Sequence, residues 1–232
     1  MGYDAPSMSD PTATMPGRRR KPTAPHDQQL PSGRHGLSRE FVVANQRERI
    51  LVAFAESVAA YGWAGSSVER VAARAGVSRR TFYEQFSGKD DAYAQLFGDL
   101  SDALVARVRA TAAATAEDPD WLRRCLRTLL LAVASAPLFA RVCVVDVMSA
   151  GPDAIAARDR TLRTFAQMLQ ERASVGAERP LAPLAAEGLV GAIYDVIYNR
   201  VASGQAEELP DLLDDLHSFC QSVLDAPRPI RS

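Results

Sequence analysis

Lysine is almost missing from this 232-residue chain: Lys21 and Lys89 stand among 27 basic residues, and the rest are arginine. Aromatic residues make up only 7%. No segment shows the alternating, β-branched pattern of a strand, so helix is unopposed in a sequence rich in Ala, Leu and Val. Histidine and cysteine are scarce too, at three residues each. His26, His35 and His217 build no ligand spacing, and no metal site is expected. Cys125, Cys143 and Cys220 offer no CxxC pair and lie in apolar helical stretches. They read as buried reduced thiols rather than a zinc site or a disulfide framework. No G-x-S-x-G, H-E-x-x-H or Walker loop occurs. With so little general-base material the chain is not expected to be an enzyme or to carry a cofactor, and a small helical enzyme is the remote alternative. No apolar run attains the ~18 residues that span a bilayer. The longest candidate, residues 129–140, contains Pro137 and stops at Arg141. The first sixteen residues hold three prolines and no apolar core. No secretion signal is visible in them, so a cytoplasmic, nucleoid-associated protein without a membrane partner is expected.

What is present is an ordinary globular composition, 47% hydrophobic and 24% charged. The total charge of −1 hides an asymmetry, with residues 1–90 at +4 and residues 91–232 at −5. A basic head on an acidic body is the balance of a nucleic-acid-binding module carried by a larger domain. Residues 1–38, rich in Pro, Ser, Thr and Gly, cannot bury enough apolar surface to offset the entropy of ordering and read as a disordered arm. The arm's cluster Arg18-Arg19-Arg20-Lys21 is either a solubilising tail or a sequence-neutral phosphate contact.

From Arg39 onward apolar residues recur at helical spacing. Ile50, Leu51, Phe54, Val58 and Tyr61 predict a first helix over 43–61, ended by Gly62 in a left-handed cap. Ser66 and Glu69 form an S-x-x-E capping box that opens a second helix, with Val68, Val71, Ala72 and Ala75 on its buried face. Gly76 supplies a positive φ for a sharp turn, and Ser78 caps a third helix from Arg79 to Gln85 or Phe86. A fourth begins near Lys89-Asp90-Asp91 and runs towards Thr115. Further helical patterns cover 119–135, 137–150, 152–175, 181–203 and 209–224.

Two short helices around a Gly-centred turn make a helix-turn-helix over about 66–86. Val77, Phe82 and Phe86 anchor the third helix, which leaves Arg80, Thr81 and Glu84 on its far side with Arg79 and Tyr83 flanking. A two-turn helix with that exposed face needs a partner, and DNA matches its chemistry. Arginine binds guanine O6 and N7 bidentately, and the threonine methyl packs on the thymine methyl. The hydroxyls of Ser67 and Tyr83, the helix-start N–H groups and Lys89 suit phosphate oxygens. Glu84 either pairs with Arg80 or accepts from cytosine N4.

The run Arg47-Glu48-Arg49-Ile50, Gly62-Trp63, Ser66 through Phe86 and Lys89-Asp90 resembles the DNA-binding domain of TetR-family transcriptional regulators. The likeness covers residues 43–103, with Gly-Val-Ser, Thr-Phe-Tyr, Phe and Lys in register. It implies an all-α protein: an N-terminal three-helix helix-turn-helix domain, and a C-terminal helical bundle over 104–232 for effector binding and dimerisation. Phosphate contacts carry over to Ser67, Tyr83 and Lys89, and base contacts to Ser78, Arg79, Arg80 and Thr81, with Gln85 beside them. Arg80 and Gln85 stand where many members carry a small residue and a histidine, so no relative's operator can be borrowed. The resemblance further implies a homodimer through residues 181–203 and 209–224 on a palindromic double-stranded operator. Such a protein is usually a repressor released by a small effector; an activator or an effector-independent regulator with the same head is the alternative. Candidate lining for the effector pocket is Trp121, Phe139, Asp146, Met148, Phe165, Met168, Tyr194 and Tyr198, with core packing as the plain reading of each. Asp146 lies inside an apolar run and needs a partner, which Arg141, Arg158 or a ligand could supply.

Overall fold

A computed structural model describes residues 39–177 and 180–226, so the expected arm and its basic cluster lie outside the described residues. Among the described residues there is helix and no strand. Helix α1 spans Arg39–Gly65 with a break at Gly62, α2 Val68–Ala75, α3 Arg79–Gln85 and α4 Lys89–Ala114. They are followed by α5 (Trp121–Ala134), α6 (Pro137–Ala140), α7 (Pro152–Ala173), α8 (Pro183–Ala202) and α9 (Leu213–Leu224).

The break in α1 differs from the expected left-handed cap. Gly62 has φ 69° but ψ 173°, a positive-φ conformation open to glycine that lies outside the left-handed helical well and turns the chain without closing a cap. The hydroxyl of Ser66 explains why it holds. Buried beside the break, it donates to Gly62 O at 2.9 Å and accepts from Ser57 Oγ at 3.1 Å. Ser66 is thereby used up, and the cap of α2 falls to Ser67, whose Oγ accepts from the Arg70 N–H. The expected Ser66–Glu69 capping box therefore does not form, since with Ser67 as the cap the third helical position is Arg70. Gly76 does adopt the left-handed conformation (φ 64°, ψ 37°), and Ser78 Oγ caps α3 by accepting from the Thr81 N–H at 3.0 Å.

Phe54, Phe82 and Phe86 are buried at the centre of a first core built by α1 to α4. At ~1.5–3 kcal/mol for each fully buried large apolar side chain, these rings set the mutual angles of the short helices. Trp63 and Tyr93 extend the cluster edge to face, with centroids 5.2 Å apart. A second core joins α5, α8 and α9 around Leu126, Leu130, Ile197 and Leu209.

The segment expected as a helix over 137–150 is the largest departure. After the four residues of α6 it opens into a π turn, Arg141–Val145, and tightens into a 3₁₀ turn, Asp146–Ser149. Val142 and Val147, five residues apart, both sit fully buried in the first core, while Val144 and Val145 face the second. A regular helix cannot place residues five apart on one face, whereas the i→i+5 spacing of a π turn can. Feeding two cores at once breaks the 3.6-residue period. Pro210 likewise confines the start of the last expected helix to a 3₁₀ turn, Ala206–Leu212.

No single helix among the described residues is long and apolar enough to cross a membrane.

Candidate DNA-binding face and ligand cavity

The outer face of α3 is built as its spacing predicts. Phe82 is buried against Phe86, while Arg79, Arg80 and Tyr83 are exposed and Thr81 and Gln85 half-exposed. Tyr83 stands edge-on to Phe82 with its ring half in solvent. Both arginines are already engaged. Arg80 Nε donates to Glu84 at 3.0 Å, which settles the partner of that carboxylate, and Arg79 meets Glu69 of α2 at 3.0 Å. The Arg79–Glu69 pair was not legible from spacing, because its partners lie on different helices. The Glu69 backbone N–H, the Ser67 hydroxyl and the Arg79 charge, in that order, hold its carboxyl below the usual range. These exposed pairs contribute little to stability.

Ser67 and Ser78 remain exposed while capping. Lys89 is more constrained than expected. Its Nζ donates to Trp63 O at 2.9 Å and lies 4.3 Å over the Trp63 ring. The ammonium ties the first residue of α4 to the end of α1. Sequence reasoning gave no role to Arg47 and Arg49, which brace the head. Arg49 donates to Ala75 O and Gly76 O at the turn, and Arg47 donates to Gln95 and Asp99 of α4.

Farther along α4, Phe97, Leu104 and Val108 wall a cavity of about 180 Å³ whose lining is almost wholly apolar. The other walls are α5, α7, α8, Cys220 of α9 and the π turn. Of the residues expected there, Trp121, Phe165, Met168 and Tyr194 do line it. The rest do not. Phe139 packs into the first core. Met148 is half-exposed and accepts from Arg158 through its sulfur. Tyr198 sits one turn past Tyr194, beyond the lining. Asp146 lies 3.8 Å from Arg141 with Oδ2 buried and lacking a hydrogen bond, and desolvation raises its carboxyl pKa although the arginine opposes this.

All three cysteines border the cavity as free thiols, a convergence invisible in their spacing. Desolvation pushes Cys143 up to about 12 and Cys220 up to about 11, so they present neutral S–H groups rather than reactive thiolates. Tyr194 donates to Val144 O at 2.9 Å, and Tyr93 of α4 to Val142 O at 3.4 Å. The π turn thus touches both the cavity wall and the first core.

Residues 50–96 match the family of bacterial regulatory proteins named for tetR. That stretch is the helix-turn-helix head, which is thus a tetR-type domain. Its fold is shared with solved regulators along most of its length. The fatty acid degradation regulator FadR from Bacillus halodurans aligns with TM-score 0.66 and 20% identity, over 79% of this chain and 96% of that one. FadR from Bacillus subtilis, solved with stearoyl-CoA, aligns with TM-score 0.62 and 16% identity, over 78% and 99%. FadR from Thermus thermophilus, a TetR-family repressor solved with lauroyl-CoA, aligns with TM-score 0.56 and 20% identity, over 80% and 100%. No curated protein matches the sequence. The chain thus carries a tetR-type helix-turn-helix head on a helical body, in a fold shared with solved regulators.

Proposed function

We propose that this regulator is a repressor that binds a palindromic operator as a homodimer and releases it when an apolar, chain-like effector enters the cavity. In this reading residues 43–103 form the DNA-binding domain and residues 104–232 the effector-binding and dimerisation domain, acting in the cytoplasm at the nucleoid. Arg79, Arg80 and Thr81 read bases, with Ser78 and Gln85 beside them, and Ser67, Tyr83 and Lys89 fix register on phosphates. Exposed apolar side chains on the last two long helices, Leu184 and Phe219 among them, support a dimer interface there.

One observation carries the coupling: α4 is shared. Its first residue is tied to Trp63 in the head, and Phe97, Leu104 and Val108 wall the cavity. A ligand that shifts this helix changes the spacing of two recognition helices that must meet grooves ~34–36 Å apart. The FadR structures with acyl-CoA support a long apolar effector.

The test begins with capture and sequencing of genomic DNA bound by the full chain, followed by anisotropy on the recovered operator. We expect a palindrome, a dimeric mass by light scattering, and weaker operator binding as a fatty acyl ligand is added. A monomer at micromolar concentration, or an operator affinity unmoved by a ligand bound in the cavity, would overturn the proposal.

A further inference from the structure

The cavity holds two arginines in its lining, Arg158 and Arg172, that differ in how they are paired. Its lining on α7 runs from Arg158 to Arg172, which at 1.5 Å per residue is about 20 Å. Arg158 stands at the end where Tyr194 meets the π turn, and Arg172 at the far end, where α4 gives way to α5. Between them the wall is made of side chains such as Leu104, Leu162, Phe165 and Met168. Arg158 is neutralised in place, with Asp159 Oδ1 accepting from its Nη2 at 2.7 Å and its Nε at 3.1 Å.

Arg172 has no such partner. Its Nη2 donates to the carbonyls of Thr115 and Ala116, and its guanidinium lies 5.0 Å over the Trp121 ring. Its Nε is buried and unbonded, and among the described residues no carboxylate stands within ion-pair distance. Carbonyls and a ring orient a guanidinium, but they do not cancel its charge. A buried donor without an acceptor, on a cation without a counter-ion, is costly beside an apolar wall. A ligand that brings an anion to the guanidinium supplies the counter-charge that it lacks among the described residues.

We infer that Arg172 is the seat for the anionic end of the effector, an amphiphile with one linear apolar chain that runs from Arg172 towards Arg158. The inference rests on the effector reading above. The carboxylate of a free acid and the negatively charged carrier of a thioester share this chemistry. In the free acid the hydrocarbon adjoins the anion, whereas in the thioester the carrier's uncharged arm stands between the two.

Dodecanoate, dodecanol, methyl dodecanoate and dodecanoyl-CoA are titrated into the full chain, with tryptophan emission as one readout, since Trp121 lies beneath Arg172, and calorimetry as the other. The expected order places the anions above the alcohol and ester by about tenfold, the worth of one charge-assisted hydrogen bond. Arg172→Met should erase that preference while leaving dodecanol affinity within about twofold, and Arg172→Lys should restore part of it. A preference for dodecanoate alone identifies a free acid, and one for dodecanoyl-CoA alone a thioester. An unfolded variant is recognised by circular dichroism, and the preference of wild type over neutral amphiphiles then stands as the test. Retention of the anion preference in folded Arg172→Met overturns the seat and spares the effector reading. Failure of wild type to bind any of the four overturns both.

Discussion

Asp146, in the body of this molecule, is treated opposite to the carboxylates of the head and to Asp118 of the body itself, which hydrogen bonds hold below the usual range. In the head, Glu69 and Asp91 accept hydrogen bonds and sit below the usual carboxylate range. For Glu69 the first cause is its own backbone N–H, and for Asp91 it is the Gln95 side chain, followed by the Ser87 N–H. In the body, Asp146 is held above that range by desolvation, with one oxygen unbonded. Arg172 Nε, on the cavity, is unbonded too. The head holds one such atom as well, Asn45 Oδ1 of α1. In the body these atoms are buried, Asp146 outside the cavity lining and Arg172 within it.

Packing should divide the two regions most sharply. Phe82 is fully buried among rings, so Phe82→Ala is expected to cost ~3–5 kcal/mol in chemical unfolding and to abolish operator binding. Phe165 borders space that is already empty, so Phe165→Ala should cost only about 1–2 kcal/mol and act mainly on effector affinity. Equal losses at the two sites would erase the distinction.

Much of the head was legible because its signals are local. Gly76, Ser78 and the Phe82–Phe86 spacing each act within a few residues, and the structure obeys them. The cap of α2 was misread because Ser66 and Ser67 are chemically alike, and a buried bond to Ser57 decides between them. The body was less legible for the same physical reason on a larger scale. Trp121 and Phe165 lie on different helices, and nothing in either helix says that they face one space while Phe139 and Tyr198 do not. The π turn at Arg141–Val145 follows from serving two cores, which a single-helix period cannot express.

On the DNA face, Arg80→Ala should cost ~1–3 kcal/mol of operator affinity and relax the preference at one base pair. Lys89→Met should instead weaken all sequences alike and lower the salt slope by about one. A selectivity unchanged by Arg80→Ala would remove that residue from base reading, whatever its exposure. Smaller still, Gly76→Ala forces a side chain into φ 64° and should lower the unfolding free energy by about 1 kcal/mol. The tilt of α3 hangs on that turn, so operator affinity should fall with stability; a variant as stable as wild type would show the left-handed turn to be dispensable.

The smallest effect tests the contrast of carboxylates directly, through its sign. Burial raises the native pKa of Asp146 above its unfolded value, with the Arg141 charge opposing it. The stability this group contributes is full below the unfolded pKa near ~4 and is lost as pH rises through the raised native value. Asn at this position cannot ionise. Asp146→Asn should therefore be more stable than wild type at pH 7, by about 1 kcal/mol or less, with the two converging as pH falls towards ~4. Asp91 runs the other way. Its native pKa is lowered, so its contribution is full above the unfolded value and is lost as pH falls through the native one. Asp91→Asn should be the less stable protein at pH 7, and that deficit should shrink in acid. Thermal unfolding of both variants from pH 7 to pH ~3 reads the two signs in one experiment. If Asp146→Asn is destabilised at pH 7, the Arg141 charge outweighs desolvation, and Asp146 joins the satisfied carboxylates of the head.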